Sequence, residues 1–354
     1  MTRELKFITC QPTDINYVWQ VEVQLHNFRE YNISSKTEVL LYTNCNNKVV
    51  PHLEKWQALE REFPEVKFFY YQGDMALLED SVKIQYAPLC RIWMLEKHFT
   101  AYSELENDAI FYLDCDVLFT KPLDWLAELK DDDINYLSYT GKRYKRGNYI
   151  NVEYLDVKYE DVIPEKLAEF LAGKPVDTIL NRCGVSREVA EANNKNSGGA
   201  QYLLKNINSN FWKEDYKLCM EIRAYFMVLN QVYFPGDTAK EKELKGFQSW
   251  CADMWSLLWL LWGQNKETKC PESMDFSWNT DPYALVKEFN IYHNAGVTSE
   301  MHKVDGVYTI MFNKNKDSYM QGISTPFNEK HYLSEVDPKF GGKWYTEQIL
   351  KINK

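Results

Sequence analysis

An apolar run, Ala109–Leu113, followed at once by Asp114 and Asp116, constrains the fold more than any other segment of the chain. A continuous apolar run of this length predicts a strand that is buried on both faces of a parallel sheet. In open sheets of that kind, ligands bind outside the carboxyl ends of the strands. The two carboxylates therefore follow the strand where a ligand would bind, and their hard oxygen donors suit Mg²⁺ or Mn²⁺. The alternative is a pair of strand-end carboxylates that face water.

The segments around this run alternate between short apolar strands and helices with one apolar face. The predicted strands are residues 5–10, 38–43, 66–71, 109–113 and 134–139, and the predicted helices are residues 15–30, 53–63 and 87–99. Such alternation predicts an α/β fold, with a doubly wound, Rossmann-like core in which helices flank a mixed, mainly parallel sheet.

The second half of the chain has a less regular pattern. We predict a helix near 164–172 among polar connections, a strand at 202–204, helices near 211–228 and 248–262, strands at 289–292 and 307–312, and a polar C-terminus. Neither a repeat nor a linker divides the sequence, so a single domain over residues 1–354 is expected.

Composition excludes several classes of protein. A hydrophobic content of 45% excludes wholesale disorder, and the net charge of −10 provides no general attraction for phosphate backbones. The eight cysteines are scattered without a C-x-x-C pair, which predicts a reduced protein. Because we find neither a signal-peptide pattern nor an apolar run of about 20 residues, we expect a cytoplasmic protein without a membrane partner. Dinucleotide-binding, P-loop and zinc-protease motifs are also missing.

The carboxylates stand in the string Phe-Tyr-Leu-Asp-Cys-Asp at 111–116, followed by Leu-Phe-Thr-Lys-Pro-Leu at 118–123. This region closely resembles the D-x-D region of GT-A glycosyltransferases, including glycogenin-like enzymes, and the resemblance covers residues 5–125 in strand order. It implies a GT-A fold in which Asp114 and Asp116 hold Mn²⁺ or Mg²⁺ against the diphosphate of a nucleotide-sugar, most often a UDP-sugar. Residues 1–125 would form the nucleotide-sugar-binding half, and residues 126–354 the acceptor side with a C-terminal extension.

Three further segments carry the resemblance. Thr9 and Gln11 end the first strand, where such enzymes seat the nucleotide base; the alternative is an ordinary loop. The segment Asn196-Ser197-Gly198-Gly199-Ala200-Gln201 resembles the Asn-Ser-Gly segment that lines the donor-sugar pocket. There, paired glycines permit close approach to a ligand, and Asn196 and Gln201 offer amides to sugar hydroxyls, although a tight turn would need the same glycines.

The segment His293-Asn294-Ala295-Gly296 resembles the H-x-x-G of glycogenin-like enzymes, whose histidine is a third metal ligand. A structural histidine is the alternative. The family has a lysine three residues after that glycine, whereas this chain has Ser299, so Lys303 or Lys314 would have to supply the phosphate contact.

Two charged residues are candidates for the chemistry of transfer. Asp253 opens a very apolar helix, and its position resembles the late acidic motif of several GT-A enzymes. In an inverting enzyme it would be the base that deprotonates the acceptor hydroxyl, in a retaining enzyme a donor contact, and otherwise it offsets the helix dipole. Arg91 would reach a phosphate or ribose, or remain a surface cation. The spaced Trp255, Trp259 and Trp262 are predicted to be mostly core.

These patterns predict a hexosyl- or pentosyltransferase that moves a sugar from a nucleotide-sugar to a hydroxyl acceptor. A nucleotidyltransferase and a non-catalytic carbohydrate-binding module on the same fold are the alternatives. For the acceptor, a carbohydrate or protein hydroxyl is the first choice. Four cations interleaved with aromatic residues, Lys142, Arg143, Lys145 and Arg146, also suit a hydroxylated base in DNA as a minority hypothesis, and the alternative for this segment is a solvated basic loop.

Overall fold

The computed structural model describes residues 2–44, 49–73, 86–140, 152–159, 175–297, 299–304 and 307–352. Its strands, numbered in chain order, are β1 Leu5–Pro12, β2 Thr37–Asn44, β3 Lys67–Gly73, β4 Ala109–Leu113, β5 Val117–Phe119, β6 Asn135–Tyr139, β7 Gly198–Lys205, β8 Thr268–Lys269, β9 Phe276–Trp278, β10 Ile291–His293, β11 Met301–Val304 and β12 Val307–Ile310.

Seven of these strands form one mixed sheet, flanked by helices, in the order β3-β2-β1-β4-β7-β6-β8. β2 pairs in parallel with both β1 and β3, whereas β6 is antiparallel to β7 and parallel to β8. The predicted α/β class with a mixed sheet is therefore confirmed. β4 has the predicted bounds, and all its residues are buried. Two smaller sheets have the strand orders β5-β10-β9 and β11-β12.

The α-helices of the described residues, in chain order, are α1 Ile15–Glu30, α2 Leu53–Glu62, α3 Ala87–Ala101, α4 Asp124–Ala127, α5 Val152–Tyr159, α6 Pro175–Arg182, α7 Arg187–Ala192, α8 Ser209–Tyr233, α9 Ala239–Lys245, α10 Ala252–Gly263, α11 Tyr283–Val286, α12 Asp317–Met320, α13 Lys330–Glu335 and α14 Gly341–Lys351. Short 3₁₀ turns occupy Ser34–Lys36, Ser103–Asn107, Asn194–Asn196, Ser249–Cys251, Glu272–Met274 and Pro326–Asn328.

The chain forms two compact units that do not follow chain order. Unit 1 consists of Met1–Glu4, Gln85–Ile110 and Asp132–Pro271, and unit 2 consists of Leu5–Ile84, Phe111–Asp131 and Glu272–Lys354. Unit 2 therefore combines the first strands, the D-x-D segment and the C-terminal region of the chain.

Helix α1 has the predicted bounds but is not a surface helix. Most of its residues are buried, including the polar Gln20, Gln24 and Asn27. Buried polar side chains need hydrogen-bond partners, and Gln24 and Asn27 find theirs in the segment that contains the two aspartates. The polar positions of α1 are thus part of the interior of unit 2.

The predicted polar C-terminus is wrong. In α14 the side chains of Trp344, Tyr345 and Ile349 are buried, and they join a core cluster of unit 2 together with Trp19 of α1. Tyr345 and Ile349 lie four residues apart, so helical periodicity was present but was hidden among polar neighbours.

Part of the chain predicted as polar connections is instead helical, because α6 and α7 lie directly after the predicted helix near 164–172. Val176, Ile179 and Leu180 of α6 are buried at helical spacing. The helix predicted near 164–172 lies outside the described residues. Trp255, Trp259 and Trp262 of α10 are buried, which confirms that they are core residues.

Candidate functional site

The D-x-D segment is a turn between β4 and β5 that is fixed from one side by α1. The Gln24 side-chain amide donates hydrogen bonds to the carbonyl oxygens of Asp114, at 2.7 Å, and Val117, at 3.0 Å. Asn27 makes a reciprocal pair with the backbone of Phe119, at 2.9 and 2.8 Å. Helix α1 therefore holds both ends of the turn that carries the carboxylates.

His293 reaches this turn through the register of the three-stranded sheet. β10 pairs antiparallel with β5, so that His293 lies opposite Val117, the residue after Asp116. The backbone N–H of Asn294 then donates to the carbonyl oxygen of Asp116 at 3.0 Å. As a result, His293 Nε2 lies 3.4 Å from Asp116 Oδ1 and 3.8 Å from Asp114 Oδ2.

A glycine is required just beyond His293. Gly296 has a φ of +90°, in the left-handed region, and a Cβ at this position would lie 3.3 Å from Cε3 of Trp278. The Trp278 ring also stands beside His293, with the two ring centroids 6.0 Å apart. Both the backbone conformation and the packing at this position therefore require the glycine of the predicted H-x-x-G.

One ligand atom from each of Asp114, Asp116 and His293 lies within 4.8 Å of the others. The side chains of Asp116 and His293 are 3% and 8% exposed, whereas that of Asp114 is 29% exposed. Two carboxylates and one imidazole are a donor set that suits Mn²⁺, and Mg²⁺ through the oxygens. The residues present therefore fit a divalent cation, and Asp114 is the candidate ligand that faces solvent.

A lysine is already in contact with this cluster. The Lys314 ammonium forms an ion pair with Asp116 Oδ2. Burial alone would raise the pKa of the Asp116 carboxyl, but Lys314 and His293 lower that pKa below its usual range. Asp116 is therefore ionised at neutral pH, as a metal ligand must be. The side chain of Lys303, the alternative phosphate contact, lies outside the described residues.

The described residues contain one other group of metal-ligand types, formed by Glu22, His26 and Glu62 of unit 2. The positions of His26 and Glu62 can be explained without a metal. His26 Nε2 lies 3.1 Å from Glu62 Oε1, so the histidine and the carboxylate form an ion pair between α1 and α2 when His26 is protonated. The His26 ring also packs edge-on against Phe63, with centroids 5.0 Å apart. This group provides a matched control for experiments on the D-x-D cluster.

Thr9 and Gln11, the predicted base-binding residues, lie at the end of β1 and are both buried. The Thr9 hydroxyl donates to Gln11 Oε1 at 3.1 Å. The amide nitrogen of Gln11 has no hydrogen-bond acceptor among the described residues. A buried donor in that state carries a desolvation penalty that a ligand acceptor would relieve.

The predicted donor-sugar segment forms the start of β7 in unit 1. A Cβ on Gly198 would lie 2.3 Å from the carbonyl oxygen of Ser138, and one on Gly199 would lie 2.4 Å from Cε of Met254. The space that these glycines leave is therefore filled by the protein's own atoms, a reason for glycine that was not part of the prediction. Gln201 is buried and Asn196 is half-buried.

Arg91 and Asp253 form an ion pair in unit 1, between α3 and the first turn of α10. Their side chains are mostly buried. The Tyr86 hydroxyl lies 3.1 Å from Asp253 Oδ1 and accepts a hydrogen bond from the Asp253 backbone N–H at 3.1 Å. Burial, and then the nearby Asp253 charge, raise the pKa of Tyr86 well above its usual value, so this hydroxyl keeps its proton. Arg91 is therefore not a surface cation, whereas Asp253 does lie in the first turn of α10, where the helix-dipole alternative places it.

The basic segment with Lys142, Arg143, Lys145 and Arg146 lies outside the described residues, and its nucleic-acid role stays a prediction. Sequence reasoning missed Gln24, Tyr86 and Asn294. From the sequence pattern, Gln24 would be one of the polar residues on the exposed face of a surface helix. Asn294 follows the predicted ligand His293 and could have been suspected from that position.

Comparison with protein-family models finds no match for this chain, and comparison with curated proteins finds none either. Among the described residues no helix combines the length and the apolar character that a membrane crossing requires.

Proposed function

We propose that this protein is a metal-dependent glycosyltransferase that moves a hexosyl or pentosyl group from a nucleotide-sugar to a hydroxyl acceptor. A UDP-sugar is the donor that we favour. The observation that carries the proposal is the meeting of Asp114, Asp116 and His293 at the carboxyl end of a fully buried strand. Strand ends of this kind are where open α/β sheets bind nucleotides.

In this proposal the three ligands hold Mn²⁺ or Mg²⁺. When bound, the metal would act as a Lewis acid that neutralises charge on the leaving diphosphate. The solvent-facing carboxylate of Asp114 would hold the cation on the exposed side of the cluster. Lys314, which pairs with Asp116, supplies a second positive charge for the same diphosphate.

The other predicted site residues receive their proposed roles from the chemistry of their side chains. The free amide donor of Gln11 suits a carbonyl of the nucleotide base, with Thr9 fixing the orientation of that amide. The proposed contacts to the nucleotide-sugar also include Arg91, Asn196, Gly198, Gly199 and Gln201. Asp253 is proposed as the base that takes the proton from the acceptor hydroxyl, since its carboxylate is ordered by both Arg91 and Tyr86.

The test is a thermal-shift panel of UDP-, GDP-, CDP- and ADP-sugars with and without Mn²⁺, followed by product analysis. We expect Mn²⁺ and one UDP-sugar to raise the melting temperature together, and the turnover product to be UDP. The Asp116→Asn variant should lose both effects, whereas His26→Gln, in the second group of ligand types, should keep them.

Two outcomes would favour the alternatives. Release of pyrophosphate instead of the nucleoside diphosphate would indicate a nucleotidyltransferase. Absence of any shift with Mn²⁺ and all four sugar nucleotides, together with binding of free carbohydrate, would indicate a non-catalytic carbohydrate-binding module.

A further inference from the structure

Trp250 is an exposed aromatic ring in unit 1. It is 60% exposed, whereas the three tryptophans of α10 are buried. It lies in the short 3₁₀ turn Ser249–Cys251, immediately before α10. A tryptophan has the largest contact area of any side chain, so leaving most of it in water forgoes a large gain from burial.

The exposed ring stands on a buried support. The Tyr86 ring packs against it with an interplanar angle of 89° and a centroid distance of 5.8 Å. The Tyr86 hydroxyl lies 2.9 Å from the Trp250 carbonyl oxygen. The Arg223 guanidinium lies over the Tyr86 ring, 4.4 Å from its centroid. Tyr86 therefore holds Trp250 in place, and the exposed ring is fixed by contacts with a buried residue.

Polar groups converge on the same support. The Tyr86 hydroxyl that contacts the Trp250 backbone also contacts Asp253, whose other carboxylate oxygen pairs with Arg91. An exposed aromatic ring, a carboxylate and a guanidinium are thus tied to one tyrosine. The negative face of an aromatic ring attracts the weakly positive C–H groups of a pyranose. A carboxylate accepts hydrogen bonds from sugar hydroxyls, and a guanidinium donates them.

We propose that Trp250, Asp253 and Arg91 form a carbohydrate subsite in which Trp250 is the platform for a sugar ring. This inference rests on the proposed function. It adds the class of the acceptor, which is a carbohydrate and not a protein side chain or a nucleic acid. An exposed ring alone would stack a base equally well. The carboxylate of Asp253 favours a sugar, because its oxygens accept hydrogen bonds from hydroxyl groups, of which a sugar ring carries several.

The experiment is calorimetric titration of the full chain with cellotetraose, laminaritetraose, maltotetraose and a galactan tetrasaccharide, without metal or nucleotide-sugar. The variants are Trp250→Ala and Trp250→Phe. Tyr308→Ala is the matched control because Tyr308 is another exposed aromatic residue, 69% exposed. Asp116→Asn is tested as well. Because Trp250 is largely exposed, we expect its variants to fold, and circular dichroism melting checks this.

We expect at least one tetrasaccharide to bind, and Trp250→Ala to weaken that binding about tenfold while Trp250→Phe weakens it only about threefold. Tyr308→Ala and Asp116→Asn should bind as the wild type does. If Asp116→Asn and wild type both bind sugar but the wild type turns over no nucleotide-sugar, the proposed function fails and the subsite stands.

Three results would overturn the subsite. One is the absence of binding of any tetrasaccharide to the wild type at about 10 mM, beyond which affinity is negligible. The second is equal binding by wild type and Trp250→Ala. The third is a single-stranded oligothymidylate that binds more tightly than the tetrasaccharides and loses affinity in Trp250→Ala, since a base would then be the occupant.

Discussion

His293 Nε2 lies 3.4 Å from Asp116 Oδ1 although the two residues belong to distant parts of the chain. β10 and β5 bring them together, and Asn294 ties the end of β10 back to the Asp116 carbonyl. The candidate metal centre is thus assembled from two segments of unit 2, one that follows a buried strand and one near the C-terminal helices.

Removal of one ligand should abolish metal binding without unfolding the protein. For Asp116→Asn and Asp114→Asn we expect the affinity for Mn²⁺ to fall by about 100-fold or more, since even outer-shell partners contribute about 10–100-fold. The rate of sugar transfer should fall together with the affinity for Mn²⁺. Calorimetric titration with Mn²⁺ measures the change. The matched variant Glu22→Gln, in the second group of ligand types, should bind Mn²⁺ normally; if Glu22→Gln loses the metal and Asp116→Asn keeps it, the metal site is the other group.

Replacement of Lys314 by methionine should separate metal affinity from diphosphate affinity. The ammonium of Lys314 competes with a cation for Asp116, so its removal should tighten Mn²⁺ binding several-fold in the absence of nucleotide. The same variant should bind UDP about tenfold more weakly, because a charge-assisted contact to phosphate is lost. Titrations of Mn²⁺ alone and of UDP with saturating Mn²⁺ give the two values. Weaker binding of Mn²⁺ alone would show that Lys314 supports the metal ligands instead.

Replacement of Gln24 should loosen the turn that carries the carboxylates. Gln24→Met removes the side-chain donor from the Val117 and Asp114 carbonyl oxygens, of which the Asp114 oxygen still accepts from the Val117 N–H, and we expect the fold to be destabilised by about 1–3 kcal/mol. It should also weaken Mn²⁺ binding. Urea unfolding and Mn²⁺ titration measure the two effects. The control is Gln348→Met, because the buried Gln348 amide donates only to a carbonyl of its own helix, and metal binding should be unchanged in that variant.

The Arg29–Glu65 pair should make a small contribution to stability that disappears in acid. The hydrogen bonds from Arg29 lower the pKa of Glu65 to about 2. A carboxyl whose pKa is lower in the folded than in the unfolded state stabilises the fold above its unfolded pKa, and this stabilisation is lost as the pH falls toward about 2. Both side chains are partly exposed, so solvent screening limits the effect to below about 1 kcal/mol. The difference in unfolding free energy between wild type and Glu65→Gln should shrink from pH 6 to pH 2.5; a constant difference would contradict the assignment.

Asp253→Asn should lower turnover far more than donor affinity. The amide keeps the shape and the contact with Tyr86 but accepts no proton, so we expect kcat to fall by about 100-fold or more. KM for the nucleotide-sugar should stay within about threefold. Steady-state kinetics with varied donor separate the two quantities. A rise in donor KM with unchanged kcat would make Asp253 a donor contact and not the base.

Local patterns predicted the strands and helices of the first part of the chain well. β4 and α1 have the predicted bounds, since an unbroken apolar run and a regular apolar repeat depend only on neighbouring residues. The C-terminal helices were missed because their few buried residues, such as Tyr345, stand among polar ones and become core only against distant parts of unit 2.

The site could be predicted only as a set of residue types. The resemblance to GT-A enzymes selected Asp114, Asp116 and His293, and the structure brings them together. The sequence pattern does not contain the register between β5 and β10, because an antiparallel pairing between distant strands has no local signature. For the same reason the role of Gln24 could not be predicted, because it depends on which carbonyl groups α1 contacts.

The pairing of β10 between two neighbours makes the site sensitive to chain length. β10 is antiparallel to β5 on one side and parallel to β9 on the other, and His293 lies opposite Val117 and Trp278. Successive side chains of a strand point to opposite faces, so a shift by one residue would turn the imidazole away from Asp116. Insertion of a single residue before His293 in β10 should therefore remove the candidate third ligand from the cluster as completely as replacing the histidine, although the sequence would still contain Asp114, Asp116 and His293.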